Sequence, residues 1–238
     1  MSELLETIIR AGGGADRWAD IKSITAHQTV GGALWGLKQS AGVLDDARIT
    51  VHPHEQWASH TPFTAPGRHT ILTPGRVAVE TDDTVVEELR DPRASFADHD
   101  LMTPWSRLQL AYFAGYAMWT YLTEPISFAL PGVLTEEIEP WSENGESWRR
   151  LRVTYPAGIE THSRTQTVYA DSDGLLRRRD YEVDIMGGAP SVQYISGHRE
   201  ISGVVVATTR TVYSRDPDNH PIQEPVIVSI ELDDIQIG

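Results

Sequence analysis

Residues 103–122 read TPWSRLQLAYFAGYAMWTYL, and this stretch limits the fold more than any other. Thr103 can cap a helix, Pro104 suits its first turn, and Glu124-Pro125 stops it. Apolar residues then fall on every side of that helix, among them Leu108, Leu110, Tyr112, Phe113, Tyr116, Met118, Trp119 and Leu122. A helix that is apolar all round is enclosed by protein or lies in a membrane. Arg107, Gln109 and Gly115 interrupt the run, and no stretch of the chain reaches the ~18 apolar residues of a membrane span. No membrane insertion is expected, so the remaining chain must wrap around this helix.

The remaining chain reads mostly as strands. An N-terminal helix is predicted over residues 2–10, with Leu4, Leu5, Ile8 and Ile9 on one side and Gly12-Gly13-Gly14 ending it. IKSITAHQTV (21–30) and ALWGLK (33–38) flank Gly31-Gly32, a two-residue hairpin signal. Further strands are predicted over 48–54, 56–61, 68–73, 75–80 and 84–89. After the helix they resume over 134–139, 147–155, 161–170, 175–185, 191–197, 204–215 and 225–236. DSDG (171–174) and DPDNHP (216–221) are turn chemistry. The order predicts an α+β fold: a strongly curved antiparallel β-sheet, a half-barrel, wrapped around the inserted apolar helix 103–122. A chain of 238 residues fits a single domain of this kind, residues 1–238.

Charge and motifs exclude several functions. The formal net charge is −14, which disfavours nucleic acid as a partner. There are no cysteines, hence no disulfide, thiolate nucleophile or thiolate metal site. The opening MSELLETIIR has no basic stretch followed by an apolar run, so a cytoplasmic location is expected. No P-loop, dinucleotide-binding fingerprint or nucleophile elbow appears, and no cofactor is expected. His52-Pro53-His54 puts two imidazoles on one side of a strand, but no spacing fixes a third ligand and no metal is assigned. The composition is compatible with a homodimer and does not specify one.

The residues that bear on function lie in a hairpin. GLLRRRDYEVDI (174–185) carries three consecutive arginines within a predicted strand. With DSDG as a four-residue loop, Ala170 lies opposite Leu175, Val168 opposite Arg177, Gln166 opposite Arg179 and Arg164 opposite Tyr181. One face then carries His162, Arg164, Gln166, Arg177, Arg179 and Tyr181, turned toward the core. The other, with Arg178, Asp180 and Glu182, is expected to face water. Arginine presents a planar fork to a carboxylate or phosphate, so the inner face is a candidate anion site. Alternatively, these arginines pair with acids such as Asp98, Asp100 or Glu124, reach solvent at a sheet end, or hold the helix by donating to its carbonyls. Tyr112, Tyr116 and Trp119 of the helix either line an apolar pocket or simply fill the core. Arg93 is expected in a turn ion pair or at the cavity mouth, and His198 and Arg199 at a turn.

The N-terminal helix leading into IKSITAHQTVGGALWGLK, the 103–122 insertion and the long hairpins from 147 onward together resemble the lipoprotein-carrier fold. This is the half-barrel of LolA and of the mycobacterial LppX-type lipid carriers. The resemblance implies a curved antiparallel sheet forming an incomplete barrel whose mouth is closed by helices. The same architecture resembles that of a cofactor-free enzyme of violacein biosynthesis, so it implies either of two classes. The first is a protein binding a small, partly apolar molecule in a hydrophobic cavity; the hairpin and helix residues read above then add an acid group to that molecule and give Arg164, Gln166, Arg177, Arg179, Tyr112, Tyr116 and Trp119 as candidate ligand contacts. The second is a cofactor-independent lyase, isomerase or cyclase in the same cavity, with His162 and Tyr181 as candidate catalytic groups.

Overall fold

In the computed structural model residues 2–238 are described, and their strands form one antiparallel sheet of fourteen strands. Its first half is a meander of β1 (Ile24–Gly31), β2 (Ala47–His52), β3 (Trp57–Thr61), β4 (His69–Thr73), β5 (Arg76–Glu80) and β6 (Val85–Arg90). Its second half is another, of β7 (Leu134–Glu143), β8 (Glu146–Thr154), β9 (Thr165–Ala170), β10 (Leu176–Val183), β11 (Ala189–Ile201) and β12 (Val204–Arg215). The short β13 (Pro221–Ile222) pairs with β12. The last strand, β14 (Val228–Ile237), lies between β1 and β12 and joins the two meanders.

This order leaves β6 and β7 as free edges. Both are acidic and largely exposed, and β7 carries Pro140 at a bulge, features that discourage pairing with another sheet. The chain passes from one free edge to the other through α4 (Arg107–Leu122), which packs against β2 to β6 on the inner face. Every residue of α4 from Gln109 to Leu122 is buried. Gly115 marks the closest approach, where a Cβ would meet Leu72 of β4 at 3.0 Å. Trp119 donates its indole N–H to the carbonyls of His52 and Glu55, at 2.9 and 3.0 Å.

The helix starts later than a Thr103 cap predicts. Ser106 and Gln109 form a capping box: the Gln109 N–H donates to Ser106 Oγ at 3.2 Å, and the Ser106 N–H to Gln109 Oε1 at 2.9 Å. That box satisfies two otherwise orphaned donors reciprocally, which Thr103 cannot do because the residue three positions on is Ser106 and not Glu or Gln.

The other half of the concave face is filled from the N-terminus. Ser2 caps α1 (Glu3–Ala11), whose Leu4, Leu5, Ile8 and Ile9 pack with Phe128, Leu151, Val153 and Val168. α2 (Ala15–Ala19) follows and buries Trp18. The expected Gly31-Gly32 hairpin does not form. Gly32, at φ +105°, lies against the backbone of residues 227–228, and Leu34 donates its N–H to the Ile227 carbonyl. Residues 33–38 therefore dock on the start of β14 as the short helix α3 (Leu34–Leu37), burying the adjacent Leu34 and Trp35 instead of alternate residues.

Candidate functional site

The β9–β10 hairpin departs from its expected register in an informative way. Ala170 faces Leu176, a bulge absorbs Arg177, and Arg179 faces Val168. The displacement at Arg179 is two residues, an even number, so Arg179 keeps the inner face with Gln166 and Tyr181. Arg177, expected inside, is turned out by the bulge; its Nε donates to Asp171 at 2.6 Å. Arg164, also expected inside, precedes β9, is exposed, and donates from Nε to the Tyr155 carbonyl at 3.1 Å. Arg178, expected to face water, is fully buried on the outer face. It donates to Asp180 at 2.8 Å and Glu143 at 2.5 Å, among the rings of Trp141, Tyr169 and Tyr194.

Arg179 belongs to a polar seam between the two apolar clusters of the interior. It forms an ion pair with Glu124, the second residue after α4, and its Nη1 donates to Gln166 Oε1 at 2.6 Å. Arg210 of β12 lies on the same carboxylate, 3.3 Å from Oε2, and donates to the Tyr121 carbonyl at 2.9 Å and to Gln193 Oε1 at 3.0 Å. Both guanidiniums and Glu124 are buried, so two cations share one carboxylate. Burial, together with Arg210, pushes Arg179 down to about 9, and burial pushes Arg210 down to about 10, so both stay charged at neutral pH. Glu124 is one of the acids the sequence offers as a partner. Tyr121 is one of the aromatics of the 103–122 segment that the sequence offers as a pocket wall, whereas Arg210 and Gln193 are not among its candidates; the available signal for Arg210 is the alternation in VVVATTRTV, which puts it on one face with Val206 and Val212.

The sequence places His162 beside Tyr181, and the structure stacks them, centroids 4.2 Å apart and planes at 10°. Tyr121 brings its hydroxyl to 2.7 Å from His162 Nε2 and 3.4 Å from the Tyr181 hydroxyl. Burial, and secondarily Arg93, pushes His162 down to about 3, so the imidazole is neutral, and its tautomer sets which of it and the Tyr121 hydroxyl donates. No carboxylate bonds to the ring. Tyr116 meets His162 edge-on, while its own hydroxyl lacks a partner. Tyr112 donates to Glu160 at 2.5 Å, and Trp119 bonds to the β2–β3 turn, away from the seam. Arg93 both pairs with Asp184, at 2.6 Å, and lines a shallow surface pocket of about 290 Å³ with Glu160 and Arg164.

Two small spaces meet at Tyr121. A seam cavity is lined by Ile8, Glu124, Leu176, His198 and Arg210. An apolar crevice between α4 and the opposite wall is lined by Phe113, Ala114, Ala117, Met118, Val212 and Ile230. Each holds about 30 Å³, room for one or two waters. The expected large hydrophobic hollow is therefore filled by α4. His198 and Arg199 lie within β11, not at a turn. Among the described residues no group of three or more His, Asp or Glu could hold a metal, and no helix is long and apolar enough to cross a membrane.

No family model matches the sequence, and no curated protein matches it. Solved structures do. A domain described as an outer membrane lipoprotein-sorting protein, from Vibrio parahaemolyticus, aligns with a TM-score of 0.57 at 9% identity, covering 99% of this chain and 91% of its own. A DUF1329-family protein from Desulfovibrio piger gives 0.55 at 11% identity, over 98% and 91%. A LolA-superfamily protein from Nitrosomonas europaea gives 0.53 at 10% identity, over 98% and 93%. At these identities the likeness is one of fold: the chain has the half-barrel fold of LolA-superfamily proteins.

Proposed function

We propose that the protein binds a small, partly apolar molecule bearing an acid group, held between α4 and the wall made by β10, β12 and β14. The observation that carries this reading is the charge count at the seam: two fully buried guanidiniums and one carboxylate. An uncompensated buried charge is costly, and a second carboxylate beside Arg210, the guanidinium that lines the seam cavity, would neutralise it. The apolar crevice ends at Tyr121, whose other side faces that pair, so it suits the hydrocarbon part of the same ligand. The crevice owes its space to Ala114 and Ala117 on α4. At about 30 Å³ it admits a ligand only as α4 or Tyr121 moves. The description of the Vibrio parahaemolyticus neighbour as lipoprotein-sorting agrees with an apolar ligand at the level of fold.

A cofactor-independent enzyme is the second reading, supported by the contact of His162 with Tyr121 and Tyr181. A neutral, fully buried imidazole with no carboxylate bonded to it is a poor proton acceptor, which favours binding over catalysis. Native mass spectrometry of the purified protein tests the preferred reading. A bound organic acid is expected, and it should be absent from Ala117→Phe, which fills the crevice. The same bound mass in both proteins would place the ligand elsewhere.

A further inference from the structure

Two polar side chains in the wall of the crevice carry buried atoms that no group of the protein satisfies. Gln28 of β1 and His60 of β3 both project inward, facing Ala47 and Ile49 of the intervening β2. They line the same crevice. His60 is fully buried, and neither ring nitrogen has a partner. Gln28 is 1% exposed; its Nε2 makes one long bond to the Leu44 carbonyl, 3.4 Å, and its Oε1 has none. Buried polar atoms are nearly always hydrogen-bonded, so orphans clustered on one cavity ask for a partner from outside the chain.

We propose that Gln28 and His60 form a subsite that reads a hydroxyl group on the apolar part of the ligand. The inference rests on the crevice being the binding site, as proposed above. Its chemistry follows from what the two groups offer. Gln28 Oε1 is an acceptor, and a neutral imidazole has one N–H donor and one bare nitrogen. Burial keeps His60 neutral, pushing it down to about 4. A hydroxyl both donates and accepts, so within this crevice it can donate to Gln28 Oε1 or accept from the His60 N–H. A carboxylate cannot satisfy Gln28 Oε1, which sends the acid group to the arginine seam and the hydroxyl here. The ligand class is thus a hydroxylated apolar acid. Phe113, Ala114, Ala117 and Met118 of α4 line the same crevice with hydrocarbon, so an alkane of the same shape leaves both side chains unpaired, and an ether, which accepts but cannot donate, leaves Gln28 Oε1 unpaired.

The test uses two isomers, 1-hexanol and 1-methoxypentane, which differ in whether the oxygen carries a proton. Calorimetric titration of the native protein should show hexanol binding about tenfold more tightly, the scale of one net hydrogen bond. In Gln28→Leu/His60→Leu the preference should fall within about twofold while the ether still binds. If that variant does not fold, the native protein decides: the ¹³C signal of the Gln28 side-chain carbonyl should shift with hexanol and not with the ether. Equal affinities, an unmoved Gln28 carbonyl signal, or a preference that survives the double substitution would overturn the subsite and leave the crevice reading intact. Binding of neither isomer would overturn both, an ordered water then being the only occupant.

Discussion

The ring of Tyr121 lies 4.6 Å from the guanidinium of Arg210 and forms the partition between the seam cavity and the apolar crevice. One aromatic side chain thus separates the most polar part of the interior from its emptiest apolar part. The Tyr121 carbonyl also accepts from Arg210, tying the last turn of α4 to the wall. Whatever moves the end of α4 therefore disturbs the shared ion pairs as well.

The charge count makes two substitutions unequal. Glu124→Gln leaves two buried guanidiniums without a counter-ion and should cost about 3–5 kcal/mol in urea denaturation. Added acetate should restore part of that loss. Arg179→Met leaves Arg210 and Glu124 as a matched pair and should cost less than half as much. A larger loss for Arg179→Met than for Glu124→Gln would contradict the shared-carboxylate account.

Trp119→Ala should destabilise the protein by about 3–5 kcal/mol, because the indole is fully buried and its N–H holds the β2–β3 turn. Chemical denaturation measures it. A change under about 1 kcal/mol would mean that α4 is not core but a loosely held lid.

What was legible in the sequence follows from how locally each feature is determined. The apolar helix is written in one segment, and TPWSRLQLAYFAGYAMWTYL specified an enclosed α4 in a curved sheet without knowledge of its neighbours. Its start was misplaced because Ser106 and Gln109 outcompete Thr103, a contest between two caps that are both good. Register is non-local. The bulge at Arg177 is set by the Asp171 turn, and it sent Arg177 outward while Arg179 stayed inside only because the displacement was even. Arg178 looked like a water-facing residue, since nothing near it in sequence says that Trp141, Tyr194 and the 216–220 turn cover it. Arg210, Gln28 and His60 come from β12, β1 and β3, segments well separated in the chain, so their convergence with α4 on two small cavities could not be read from spacing.

The buried histidines set a pH dependence whose sign is fixed. His60 and His162 are pushed from the ordinary 6.5 to about 4 and about 3, both first by burial. The unfolded chain therefore binds more protons than the folded one below pH ~6.5. Their contribution to stability is complete above that pH and is lost as the pH falls toward 4, at up to about 1.4 kcal/mol per pH unit for each histidine. Denaturation midpoints between pH 7 and 5 should show this slope, and His60→Leu should remove roughly half of it. A flat profile over that window would mean that these rings reach solvent or a partner.

The central claim, an interior that takes a partly apolar acid with its head at the arginine seam, is tested most directly by titrating decanoate and 1-decanol into the native protein and into Arg210→Met. The account predicts that decanoate binds the native protein at least about tenfold more tightly than decanol, and that Arg210→Met removes the difference. Equal binding of the two by the native protein, or no binding of either, would contradict it.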